Sequence, residues 1–155
     1  MDIVFAPLYC AKQLSDVTMA AARELKDIDF NDEGWERFSN INTPDEFRRR
    51  LTDTAFSIFC CMESDRVLGF ISIKDNEKID QLFVLPEVQK RGIATQLWQA
   101  AKERAMQQGA TGHFWVRSSS IAVRVYQRFG FIAEGGRDTF NGISFQLMRL
   151  YKSTR

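Results

Sequence analysis

DQLFVLPEVQKRGIATQLWQAAKERAMQQG, residues Asp80 to Gly109, is the stretch on which the fold turns. Its front, Ile79 to Leu85, is apolar and rich in β-forming residues, and Pro86 stops it. After Gln89-Lys90-Arg91-Gly92-Ile93-Ala94 the apolar residues Ile93, Leu97, Ala101 and Ala105 recur at helical spacing, until Gly109 ends the pattern. The reading is therefore strand, short turn, helix. The first N–H groups of a helix have no partner inside it, and the helix dipole adds partial positive charge there, so this turn is a natural seat for phosphate. No proline interrupts Gln89 to Thr95, so every main-chain donor is available. Gly92 has no Cβ and Ala94 a small one, and Lys90 and Arg91 add charge at the rim.

The spacing narrows the ligand. A nucleotide P-loop needs GxxxxGK(S/T) and a dinucleotide fold needs GxGxxG, and neither is present. Gln89-x-x-Gly92-x-Ala94, following Leu82-Phe83-Val84-x-Pro86, resembles the acyl-CoA-binding signature of the GNAT superfamily of N-acetyltransferases, Q/R-x-x-G-x-G/A. Further on, Ser119-Ser120-Ile121-Ala122-Val123-Arg124-Val125-Tyr126-Gln127-Arg128-Phe129-Gly130-Phe131 resembles that family's other signature, N-x-x-A-x-x-x-Y-x-x-x-G-F. Ala122, Tyr126, Gly130 and Phe131 match in place, whereas Ser119 stands where the family usually has Asn. The resemblance covers about Val67 to Gly135.

The resemblance implies an α/β (α+β) fold of a single N-acetyltransferase domain over residues 1–155. Its sheet would be mixed, mostly antiparallel and twisted, of six to seven strands splayed at the centre, with about four helices. The pantetheine arm of acetyl-CoA would lie in the split and pair with the backbone of Leu82, Phe83 and Val84. The diphosphate would sit on the amides from Gln89 to Thr95, that is Gln89, Lys90, Arg91, Gly92, Ile93, Ala94 and Thr95. Ser119 would also touch the cofactor, and a bulge near Leu82 would aim an N–H at the thioester carbonyl. Tyr126 takes the general-acid position by the same resemblance, its ordinary alternative being a buried tyrosine on a packed helix face.

Composition excludes several other classes. The 155 residues are 45% apolar with a net charge of +1, which suits one core and gives no field toward nucleic acid or membrane. No apolar run approaches the roughly 20 residues that span a bilayer. MDIVFAPLYC lacks the build of a signal peptide, so a cytoplasmic protein is expected. Cys10, Cys60, Cys61 and the single His113 make no metal-ligand set, and buried thiols in a reducing compartment are the expectation. His113 lies in neither motif and reads as structural.

Along the chain, a helix is expected from about Lys12 to Asp27, capped by Ser15 or Asp16, with Leu14, Val17, Ala21, Leu25 and Ile28 on its apolar face. Asp29 to Phe38 is acidic and aromatic with weak periodicity. Thr43-Pro44-Asp45-Glu46 is a helix start, with Phe47 and Leu51 inward and Arg48-Arg49-Arg50 on the solvated side. Thr54–Met62, Val67–Lys74 and Ile79–Leu85 read as a meander, Thr111–Arg117 as a strand parallel to the last of these, Ile121–Phe129 as a short helix, and Phe131–Ala133 and Ile143–Tyr151 as closing strands.

Acetyl transfer from a thioester to an amine needs a neutral amine and a proton for the leaving thiolate. Asp80, on the central strand, is the first candidate for the base, against a structural ion pair; Glu77 and a water are the others. The acceptor is expected over Asp29–Asn42 and the Asp138–Gly142 turn, with Asp32, Glu33 and Glu36 attracting a cationic amine and Trp35 or Phe38 covering its apolar part. The partners are then acetyl-CoA and an amine acceptor, and a homodimer is allowed without being required. The rival readings are a non-catalytic acyl-CoA sensor and a protein-interaction module built on the Trp35–Phe38 surface.

Overall fold

The computed structural model describes residues 1–152, so the last part of the expected domain, 153–155, lies outside the described residues. Eight strands form a mixed sheet: β1 Asp2–Phe5, β2 Phe56–Glu63, β3 Arg66–Lys74, β4 Lys78–Val84, β5 Phe114–Ser118, β6 Ile132–Ala133, β7 Asp138–Phe140 and β8 Ile143–Leu150. The order is β1-β2-β3-β4-β5-β8-β6, with β7 paired to β8. The only parallel pair among the described strands is β4 with β5, joined by the long helix Ile93–Gln107. Two strands side by side and parallel need such a crossover, and the 15-residue helix supplies it. β7 raises the count above the expected six to seven strands. It is short and fully exposed, and the Asn141-Gly142 turn, with φ of 52° and 78°, folds it onto β8.

The described residues form six α-helices: α1 Ala11–Ala22, α2 Lys26–Asp29, α3 Asp32–Asn40, α4 Pro44–Leu51, α5 Ile93–Gln107 and α6 Val123–Arg128. In β3, every residue from Val67 to Ile73 is buried. Successive strand residues face opposite sides, so the sheet is covered on both faces. α1 packs on β3 and β4, and α5 on β2 and β3. Phe70 meets Phe47 of α4 edge-on at 5.5 Å, and Trp98 of α5 meets Phe114 at 5.2 Å. The three cysteines are free and buried, and burial pushes the Cys60 thiol up to about 12, which keeps thiolate scarce at neutral pH.

Several local expectations need correction. α1 begins at Ala11 after a tight turn at Leu8–Cys10, so Ser15 and Asp16 lie inside the helix and cap nothing. Ser15 Oγ instead donates to the Asn42 carbonyl at 2.6 Å, and Asp16 pairs with Lys12. The helix stops at Ala22 and re-forms as α2, which turns Ile28 out to 58% exposure. Arg50 is buried, not solvated: it lies three residues after Phe47, on the same face, with its guanidinium 4.9 Å from that ring. Thr43 does cap α4, accepting from the Glu46 amide.

The segment after Asp29, weakly periodic in sequence, forms the helix α3. Asn31 caps it by accepting from the Gly34 amide at 2.7 Å. Phe30 meets Trp35 and Phe38 at 5.2 and 5.1 Å, and Phe38 reaches Phe83 of β4 at 6.3 Å. Gly34 is pressed against the β7–β8 turn, where a Cβ would stand 2.1 Å from the Gly142 carbonyl oxygen. Gly34→Ala should therefore cost about 2 kcal/mol by overpacking, a fall in Tm of roughly 4 to 8 °C. An unchanged Tm would mean that the turn yields freely.

Candidate active site

β4 and β5 pair only at Lys78↔Trp115 and Ile79↔Val116. Beyond these positions they diverge. β4 stays bonded to β3 through Gly69↔Val84, so Leu82, Phe83 and Val84 keep one paired edge and present the other to the opening. Ser72 pairs with Gln81 and Ile73 with Ile79, leaving Asp80 as the extra residue of a bulge. The bulge is thus at Asp80, two residues before Leu82. A bulge breaks the alternation of faces, and Asp80, Gln81, Leu82 and Phe83 all line the same cavity.

Two cavities occupy the split. One, of about 340 Å³, runs from Leu82, Phe83 and Val84 to Gln89, Lys90, Gly92, Ile93, Ala94 and Thr95. The N–H groups of Lys90, Arg91, Gly92, Ile93, Ala94 and Thr95 have no hydrogen-bond partner among the described residues. The Gln89 amide differs from the expectation, because it donates to the Pro86 carbonyl at 3.5 Å, and its side chain donates to the Val84 carbonyl. Lys90 and Gly92 hold φ of 65° and 79°, and this turn opens α5 with its amides free. A Cβ on Gly92 would meet nothing within 4 Å, so the space beside it is open. Arg91 does not line the cavity; its guanidinium lies near the Met1 sulfur at 3.9 Å.

The second cavity, of about 270 Å³, lies between β4, β5, β8 and the segment Asp29–Asn42. Leu25, Leu82, Phe83, Ser119, Ala122 and Tyr126 line both cavities, so the two meet there. Tyr126 is 4% exposed, and burial pushes its hydroxyl well above the ordinary tyrosine range. It is held in α6 by rings of Phe129 and Phe131 at 6.0 and 5.6 Å. Ser119 Oγ accepts from the Ala122 amide at 3.2 Å and so tightens the turn into α6, which begins at Val123 and not Ile121.

Asp80 is half-buried in the second cavity, 3.4 Å from the Lys78 ammonium. Glu77 is an exposed turn residue outside that lining, and His113 is exposed with its ring 6.0 Å from Tyr151. Asp32, Glu33, Glu36 and Trp35 also fall outside the cavity, the carboxylates because α3 turns its polar face to solvent. Phe38 and Phe140 do line it. Among the described residues no cluster of His, Cys, Asp and Glu is placed to hold a metal ion.

Sequence reasoning passed over Asp29, Asn42, Arg50 and Arg117. Asp29 is buried and receives Arg137 at 2.9 Å and both the amide and hydroxyl of Ser120, at 3.0 and 3.1 Å. It ties α2 to the loop that carries Ser119. Asn42 is 1% exposed and accepts from Gln81 Nε2 and Arg50 Nη1 through one oxygen. Arg50 also donates to the Ile41 carbonyl, and burial pulls its guanidinium down from the usual range, opposed by Asp80. The Phe47–Arg50 spacing was the available signal for Arg50; the partners of Asp29 lie too far along the chain to leave one.

No helix among the described residues is long and apolar enough to cross a membrane. No curated protein matches the sequence. Solved structures are similar in fold: a GCN5-related N-acetyltransferase from Rhodopseudomonas palustris, at 22% identity and TM-score 0.81, over 96% of this chain and 94% of that one. The PaiA N-acetyltransferase from Thermoplasma acidophilum, solved with coenzyme A, aligns at 15% identity and TM-score 0.82, over 97% and 98%. An aminoglycoside 6'-N-acetyltransferase complexed with coenzyme A gives 13% identity and TM-score 0.72, over 96% of each chain. The sequence pattern of the family described as Acetyltransferase (GNAT) domain matches residues 26–152, and the chain belongs to that family.

Proposed function

We propose that the protein moves an acetyl group from acetyl-CoA to a primary amine by direct attack while both are bound. The observation that carries this reading is the pair of cavities meeting at Tyr126, one ending on the free amides of Lys90 to Thr95 and the other on Asp80. The free amides and open space at Gly92 fit a diphosphate, and the unpaired edge of Leu82–Val84 fits the amide-bearing pantetheine arm. Lys90 adds charge at the rim, and the Ser119 hydroxyl borders the arm's path.

A lysine-like amine has a pKa of roughly 10.4, so only about one in two thousand is neutral at pH 7. Asp80, directly or through water, takes the proton of the attacking amine. Tyr126 gives its proton to the sulfur as the C–S bond breaks and the C–N bond forms. Asp80→Asn should lower kcat by about 100-fold while the affinity for acetyl-CoA stays unchanged. An unaltered kcat would pass the base role to water.

The reading makes residues 1–155 one transferase domain, working in the cytoplasm, where reduced buried thiols are stable. A homodimer is compatible with it, because both cavities are built from one chain. Acetyl-CoA at about 100 times its Kd should stabilise the protein by about 2.7 kcal/mol, a melting shift of roughly 5 to 10 °C. No shift would overturn the reading. A shift with no thiol release over a panel of amines would favour a non-catalytic sensor.

A further inference from the structure

We propose that the acceptor is a small α-amino carboxylate whose carboxylate is held by Arg117, and not a polycationic amine; this rests on the acetyl-transfer reading above. The charges around the acceptor cavity set the argument. Asp29 is paired with Arg137, and Asp80 with Lys78. The cations Arg50 and Arg117 have no carboxylate within ion-pair distance among the described residues. Arg50 is spent on Asn42 and the Ile41 carbonyl. Arg117 has no hydrogen bond to any described residue, so its donors are unclaimed.

Arg117 is exposed, and its guanidinium leans on three rings. Its guanidinium carbon lies 5.9 Å from the Trp115 ring, 5.6 Å from Phe140 and 5.1 Å from Phe145. A planar fork braced on aromatic faces suits one carboxylate, bound through two parallel N–H groups. Among the charged residues that line the cavity, Asp29 and Asp80 are offset by Arg50 and Arg117, so the wall has no excess negative charge to draw a polyamine or an amino sugar carrying several ammonium groups. The cavity, about 270 Å³, is at the small end for ligand sites, and Phe38, Phe83 and Ile143 give it apolar walls.

Ile79 and Val116 are the last pair before β4 and β5 diverge. Asp80 and Arg117 are the next residue on each strand, so they flank the first step of the gap. Neighbouring strands lie roughly 4.8 Å apart where paired. A base on one side and a carboxylate receptor on the other match an amine and a carboxylate attached to the same carbon. The apolar side chain of the acceptor then points to the aromatic wall.

The test compares matched acceptors by thiol release at fixed, saturating acetyl-CoA: phenylalanine against 2-phenylethylamine, and leucine against 3-methylbutylamine, with spermidine as the polycation. The expected result is a kcat/KM for each amino acid about 10- to 100-fold above its decarboxylated partner, the range for a hydrogen-bonded charge. Arg117→Gln should collapse that ratio through KM, and Arg117→Lys should restore part of it. Each ratio is taken within one protein, so poor folding of a variant lowers both rates without moving it. Equal or faster reaction of the decarboxylated amines or spermidine would overturn the proposal and leave acetyl transfer standing. Thiol release from none of these acceptors counts against both.

Discussion

Gly92→Asp is expected to abolish acetyl-CoA binding, with a loss of affinity of at least about 100-fold. Two effects add. Gly92 sits at φ 79°, in the left-handed region, where a residue with a Cβ costs about 1 kcal/mol. More important, the new carboxylate stands among the free amides that open α5. Two like charges about 5 Å apart repel by roughly 3 kcal/mol at an effective dielectric constant near 20, and the helix end loses its attraction for phosphate. The fold itself has room, since a Cβ here meets nothing within 4 Å. Gly92→Asn is the control: it has nearly the same size, tolerates the left-handed region and adds no charge. Gly92→Asn should retain much of the acetyl-CoA melting shift and Gly92→Asp should lose it. If Asp binds acetyl-CoA as the wild type does, the phosphates lie elsewhere.

Tyr126→Phe should lower kcat by about 100-fold or more and leave the Kd for acetyl-CoA within about twofold, since a hydroxyl on the leaving thiolate matters only as the bond breaks. Tyr126 is buried at the meeting of the two cavities, and burial is the sole cause that raises its pKa. The sign follows: the protonated form persists as pH rises through the free-tyrosine value of about 10. The wild-type kcat should therefore show no loss from tyrosine ionisation up to that pH. The same shift makes the tyrosine's contribution to stability full below about pH 10 and progressively lost above it, a loss that Tyr126→Phe lacks. An unchanged kcat in the variant would remove Tyr126 from the acid role.

What was readable in the chain was local. The turn into α5, the Thr43 cap, the β2–β3–β4 meander and the parallel placement of β5 each depend on residues close together in sequence, and each is present. What was not readable depends on distant partners. α3 offers only Trp35 and Phe38 as apolar positions, and it is held by Asn31 and by packing on Phe83 and on the Gly142 turn. Ile28 belongs to the helical pattern but escapes burial because the helix breaks after Ala22. Asp29 is a buried carboxylate whose partners, Ser120 and Arg137, are 91 and 108 residues away. The acidic face of α3 suggested a cationic acceptor, yet the cavity is bordered by two carboxylates that are already paired, Asp29 and Asp80, and by two arginines, Arg50 and Arg117, that pair with no carboxylate among the described residues.

The most direct test is to record the backbone amide resonances of the protein while adding coenzyme A, and in parallel pantetheine, which lacks the diphosphate. Large shifts are expected at Lys90, Arg91, Gly92, Ile93, Ala94 and Thr95 with coenzyme A and little change there with pantetheine, which moves Leu82, Phe83 and Val84 instead. Saturation by coenzyme A with the 90–95 amides unmoved would contradict the diphosphate seat proposed for them.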